Sequence, residues 1–182
     1  MNLETLKSQL PEYGKDTKLN LGGLERIESL TKQQLYGAML ASAAACRNAE
    51  VLRAVDNAAK PHLDENARKA ALTAASLMAM NNVYYRFLHL VSDKEYGKLP
   101  AQLRMQAMAN PGVDKLDFEL WSLAVSAING CGMCMDSHEQ NLRKHGATRE
   151  AVQAVVRVAA VIHATVATLE AEAALSANVA SA

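Results

Sequence analysis

Apolar positions recur every three or four residues along most of the chain, and alternating runs of β-branched residues are missing. That spacing predicts helices near Leu3–Gln9, Lys32–Cys46, Glu50–Ala59, Asp64–Leu90, Pro100–Met108, Lys115–Ala127, Gly132–Lys144 and Arg149–Ala174. Asn81-Asn82 marks a possible break in the long middle helix. Start and stop signals support the pattern. Thr31 stands before Lys32 with Gln34 three residues on, the spacing of a capping box. Asp64 and Thr148 stand before the two longest helical stretches. Lys144-His145-Gly146 ends a helix, and Asn110-Pro111-Gly112 reads as a turn. The expected fold is all-α with no β-sheet, in one domain spanning residues 1–182.

The helices are rich in small residues: Ala41-Ser42-Ala43-Ala44-Ala45, Ala70-Ala71, Ala74-Ala75 and Ala159-Ala160. Alanine is the best helix former, and its small side chain also lets helices approach closely. The segment Gln34–Cys46 can be laid over Glu119–Cys131, pairing Leu35 with Leu120, Tyr36 with Trp121 and Cys46 with Cys131. Each copy leads into a polar helix and then a long alanine-rich one. This suggests a duplicated helical unit with halves at roughly 31–95 and 114–175. The alternative is that two alanine-rich amphipathic helices align by composition alone.

Composition narrows the function classes. Lys and Arg together number 19, as do Asp and Glu, and no basic tract stands out, so nothing points to nucleic acid or an anionic membrane. The first residues hold no apolar run of about seven or more, so no secretory leader is expected. The most apolar stretches, Ala70–Met80 and Val155–Ala167, are interrupted by polar residues and read as too short to span a bilayer. A cytoplasmic protein is the expectation. Three cysteines in 182 residues make no disulfide framework.

Two of those cysteines carry the chemistry. Cys131-Gly132-Met133-Cys134 places two sulfurs one helical turn apart, and His138, four residues past Cys134, falls on the same face. Asn129-Gly130 interrupts the preceding helix, which would put both cysteines in the first turn of the next. Unpaired N–H groups and the positive end of the helix dipole stabilise a thiolate there. Imidazole is suited to taking a thiol proton near neutral pH. Glu119 puts a carboxylate into the apolar stretch Phe118–Val125, where it could orient His138 as the third member of a triad does. Other uses of the motif remain open. Zinc would need a fourth ligand, for which Glu119 is available beside Cys131, Cys134 and His138. The two cysteines could also be inert core residues. A c-type haem is excluded, because Met135 rather than His follows Cys134.

On these residues the chain resembles the AhpD family of alkyl hydroperoxidases, in the carboxymuconolactone decarboxylase-like superfamily. The resemblance covers nearly the whole length. It includes LPEYGKDTKLNL at Leu10–Leu21, MNNVYYR at Met80–Arg86 and the block from Arg104 to Cys131. The family's Glu, C-x-x-C and following His fall on Glu119, Cys131, Cys134 and His138. The resemblance implies an all-helical homotrimer that reduces peroxides and the disulfide of a partner peroxiredoxin, AhpC. It implies no bound cofactor or metal. The reductant would be dihydrolipoamide, carried as lipoyl groups on a dihydrolipoamide acyltransferase. In the family pattern Cys134 attacks and forms the sulfenic acid, and Cys131 assists as proton donor and closes the disulfide. Glu119 and His138 relay protons. The helix dipole alone would favour Cys131 as the attacking sulfur. Many relatives carry a His immediately before the second Cys, and here that position is Met133. Two other classes stay in play: a lactone decarboxylase of the same superfamily, and a non-enzymatic zinc-bearing oligomerisation module.

The remaining candidates read as structural. Cys46 is expected to be a buried thiol, His163 a satisfied core or interface residue, and His145 a helix C-terminal residue facing the dipole. His62 and His89 have no partner visible in sequence. Tyr84-Tyr85, Trp121, Met78, Met80, Met105 and Met108 are expected as packing.

Overall fold

The computed structural model describes residues 2–179, and the described residues contain helices and no strand. The α-helices are α1 (Leu3–Gln9), α2 (Lys15–Gly23), α3 (Lys32–Cys46), α4 (Ala49–Ala59), α5 (Glu65–Leu90), α6 (Gln106–Ala109), α7 (Lys115–Ile128), α8 (Gly132–Lys144) and α9 (Arg149–Val179). Short 3-10 turns at Glu12–Gly14, Leu24–Arg26 and Lys94–Lys98 join some of them.

The core lies where α3 and α7 cross. Each also packs on α5 and α9, while α4 rests on α3, and α8 bridges α7 and α5. Every residue from Leu35 to Ala43 and from Asp117 to Ser126 is buried, so neither helix has a solvent face in its middle. Small residues make this approach possible. A Cβ added to Gly37 would stand 2.2 Å from the Trp121 ring, so the indole occupies the space a side chain would need. The Trp121 Nε1–H donates to the Gln34 carbonyl at 3.1 Å. The buried Asp117 carboxylate accepts from the side-chain amides of Gln33 and Gln34, at 2.7 and 2.8 Å. These bonds satisfy polar groups that would otherwise be costly to bury.

The caps fall where the sequence signals put them. Thr31 and Gln34 form a reciprocal capping box, and Asp64 and Thr148 accept from the N–H groups of Ala67 and Ala151. Gly112 and Gly146 take positive φ at the predicted turn and helix stop.

Three expectations need correcting. First, α5 runs unbroken through Asn81-Asn82. Both are buried, and Asn82 is bonded to α7 and its trailing turn, so the pair is an interior polar contact rather than a stop signal. Second, most of Pro100–Met108 is irregular and only Gln106–Ala109 is helical. No residue from 91 to 105 is buried, so the segment has no packed face to stabilise a short helix. Third, Lys15–Gly23 forms α2 although its sequence, with Gly22-Gly23 at the end, lacks the apolar stripe that predicts a helix.

The element order recurs. Helices α3, α4 and α5 begin at residues 32, 49 and 65, and α7, α8 and α9 begin at 115, 132 and 149. In both sets a buried helix is followed by a shorter one and then a long one. The caps set a register different from the sequence overlay: Cys131 caps α8 as Asn48 caps α4, whereas Cys46 is the last residue of α3. Helix α9 is longer than predicted, and residues 149–176 are apolar and long enough to cross a membrane by composition. It packs against α2, α3 and α7, as the core helix of a globular protein does.

Candidate active site

The turn between α7 and α8 carries the dithiol. Gly130 adopts φ +65, which lets the chain reverse direction directly before Cys131. Cys131 is the N-cap of α8, and its sulfur accepts from the Cys134 N–H at 3.3 Å. Cys131 and Cys134 are joined as a disulfide. Their surroundings differ. Cys131 is fully buried, whereas Cys134 is 7% exposed and lines a cavity of about 350 Å³.

His138 lies one turn further along α8 and lines the same cavity. Its Nδ1–H donates to Glu119 Oε2 at 2.6 Å, and both side chains are buried. The Glu119 carboxylate therefore fixes the ring orientation and leaves Nε2 facing the cavity side, where Met78 Sδ sits 3.3 Å away. The structure thus brings together all four residues singled out in the sequence: Glu119 from α7, Cys131 at the cap, and Cys134 and His138 from α8.

Helix α5 holds this turn in place. Successive turns of one face present Met78 to His138, Asn82 to Ser126 and Asn129, Arg86 to the Asn129 carbonyl, and His89 to the backbone at Gly132. The Asn82 amide donates to Ser126 Oγ at 2.9 Å and accepts from Asn129 Nδ2 at 2.9 Å. Arg86 donates to the Asn129 carbonyl at 2.7 Å. A Cβ on Gly132 would stand 3.4 Å from the His89 ring. His89 had no partner visible in sequence because α5 and α8 are remote in the chain. Its spacing from Asn82 and Arg86 (i+7 and i+3) was the only available signal.

The methionines are not simple core filler. Met78, Met105, Met108 and Met133 all line the cavity, with Asn81, Tyr85 and Ser137. Thioethers are flexible and polarisable, so this wall can adapt to ligands of different shape. Among the described residues no group of three or more His, Cys, Asp or Glu side chains is placed to hold a metal ion. In this structure the two sulfurs are bonded to each other and Glu119 is engaged by His138.

Residues away from the cavity have other partners. Cys46 is half-buried, and burial pushes its thiol up to about 11. His163, expected as a core or interface residue, is exposed on α9 in the single chain, with Nδ1 3.7 Å from Cys46 Sγ. His62 stacks on Tyr36 at 4.0 Å between ring centroids. The Tyr36 hydroxyl donates to Glu25, and burial with that carboxylate holds the phenol well above its usual range. Trp121 is core, as expected, and Tyr84 packs edge-on against Tyr85. His145 caps the end of α8.

The chain is similar to known proteins over nearly its whole length. The carboxymuconolactone decarboxylase family profile matches residues 94–177, the part that carries Glu119 and the dithiol. The chain is 57% identical to a protein of Beijerinckia indica named alkyl hydroperoxide reductase AhpD, over 94% of this chain and 95% of that one. It is 57% identical to a Streptomyces coelicolor protein of the same name over 98% of this chain and the whole of the other. A third, from Hyphomonas neptunium, is 55% identical over 98% and 99% of the two chains. The chain belongs to the AhpD family. The AhpD relatives match 94 to 98% of the chain, well beyond the profile region. The all-α architecture is that expected of an AhpD-type protein.

Proposed function

We propose that the protein is a thiol-disulfide oxidoreductase that reduces alkyl hydroperoxides with the Cys131–Cys134 dithiol. One observation carries the reading: the more accessible sulfur, Cys134, shares a cavity with a histidine whose far nitrogen is held by a buried carboxylate. The names of the relatives support the same chemistry.

In the reduced protein His138 takes the Cys134 proton, and Glu119 stabilises the imidazolium. The Cys134 thiolate attacks the terminal oxygen of the hydroperoxide. The O–O bond breaks, the alkoxide takes the proton from His138 and leaves as the alcohol, and Cys134 becomes a sulfenic acid. The Cys131 sulfur then attacks Cys134 Sγ, water departs, and the disulfide closes. Two thiols supply the two electrons that convert hydroperoxide to alcohol and water.

The burial difference sets the reverse half of the cycle. An incoming thiolate reaches Cys134 and not Cys131, so Cys131 is the sulfur released first. A dihydrolipoamide group on an acyltransferase suits this step, because its second thiol completes the exchange. The reduced dithiol would pass electrons in the same way to the disulfide of the peroxiredoxin AhpC. The resemblance to the family supports a cytoplasmic homotrimer as the working form.

The test is a thiol titration of the reduced protein before and after a pulse of tert-butyl hydroperoxide. Loss of Cys131 and Cys134, with Cys46 retained, is the expected result. Retention of all three thiols would overturn the proposal.

A further inference from the structure

We propose that Asn81 is the polar group that holds the hydroperoxide in the cavity. This rests on the dithiol peroxidase reading above and adds a substrate-binding residue to it.

Asn81 lines the cavity that Cys134 and His138 share, and it is 4% exposed. Its Oδ1 is buried and has no hydrogen-bond partner among the described residues. Two other buried side-chain atoms share that condition, Ser42 Oγ and Ser122 Oγ, but both lie in the α3–α7 core away from the cavity. An unpaired buried carbonyl is costly and marks a place where a partner belongs. The Asn81 Nδ2 is met only by Met108 Sδ at 3.5 Å, a weak acceptor.

A second polar atom of the cavity also meets a thioether: His138 Nε2 faces Met78 Sδ at 3.3 Å. The Asn81 amide nitrogen and His138 Nε2 are thus each met by a methionine sulfur, in a wall that holds four methionines and, besides them, the Tyr85 and Ser137 side chains. Neighbouring Asn82, by contrast, is fully engaged with Ser126 and Asn129. Asn81 and Asn82 thus divide the work of one dipeptide: Asn82 fixes the turn, and Asn81 is left for a ligand.

A hydroperoxide matches these groups. Its alkyl part takes the methionine wall, and its O–H donates to Asn81 Oδ1. The hydroxyl stays on the terminal oxygen when Cys134 attacks, so the same bond then holds the Cys134 sulfenic acid. The inner oxygen faces His138, which supplies the proton to the departing alkoxide. Asn81 thus binds the half of the peroxide that remains on sulfur.

The experiment compares two reactions of Cys134 in the reduced full-length protein: oxidation by tert-butyl hydroperoxide and alkylation by methyl iodide. Methyl iodide has no hydrogen-bond donor for Asn81 to accept from. In Asn81→Leu, oxidation should slow by roughly tenfold, the scale of one lost hydrogen bond, with alkylation unchanged. If the leucine variant does not fold, Asn81→Ala should give the same split. Oxidation at the wild-type rate in a folded variant, or a proportional fall in both reactions, would overturn the assignment. Wild-type protein that loses no thiols to the hydroperoxide would instead overturn the peroxidase reading itself.

Discussion

The Glu119 carboxylate and the His138 imidazole meet at 2.6 Å between helices α7 and α8, with less than a tenth of either side chain exposed. Sequestered from water, the pair interacts more strongly than it would at the surface. Glu119→Gln keeps the shape but removes the charge that stabilises the imidazolium. Peroxidase kcat/KM should fall by about 10- to 100-fold, short of the loss expected for His138→Gln, about 100-fold or more. Steady-state assays of the two variants check the order. A Glu119→Gln enzyme with wild-type turnover would remove the relay.

The two cysteines should fail in different ways. Cys134→Ser loses the attacking sulfur, so a hydroperoxide pulse should leave Cys131 as a free thiol. Cys131→Ser keeps the attack but cannot close the disulfide, so a sulfenic acid should build up on Cys134. Dimedone trapping and mass spectrometry distinguish them. Dimedone on Cys131 in the Cys134→Ser variant would reverse the assignment and favour the sulfur nearer the helix start.

Packing at the α3–α7 crossing gives a stability prediction. Gly37→Ala would bring a methyl group to 2.2 Å from the Trp121 indole, which is fully buried and cannot swing away. A loss of about 3 kcal/mol or more is expected. Urea unfolding followed by fluorescence of the single tryptophan measures it.

Alkaline pH should weaken the fold. The Cys46 thiol is raised by burial from 9.0 to about 11, so the folded chain keeps this proton where the unfolded chain has lost it. Tyr36 is displaced in the same direction, by burial and by Glu25. Both groups therefore contribute stability that is intact below pH 9 and is lost as pH rises through the folded values. Unfolding midpoints should fall from about pH 9 upward, and Cys46→Ala should flatten that fall. At pH 8 the same thiol should alkylate far more slowly than the reduced pair.

Much of this was legible in the sequence because it is written locally. The capping box at Thr31, the positive-φ glycine before Cys131 and the i+4 step from Cys134 to His138 are all encoded within a few residues. Glu119 was found because a carboxylate in an apolar run needs a partner. What stayed hidden is written across the chain. Met78, Asn81, Asn82, Arg86 and His89 acquire their roles only when α5 lies along the α7–α8 turn, and no local pattern announces that docking. The same cause explains the error at Asn81-Asn82. Paired asparagines weaken a helix in water, but here tertiary bonds satisfy Asn82 and outweigh that tendency.

The cavity's wall and its reagents come from different helices. Helix α8 supplies Cys134 and His138 together with Met133 and Ser137, while Met78, Asn81 and Tyr85 stand on a helix that is continuous from residue 65 to residue 90. A slide of α5 along its own axis would therefore carry one wall past the sulfur without moving the imidazole, so the gauge of the cavity is set by how one helix seats on another.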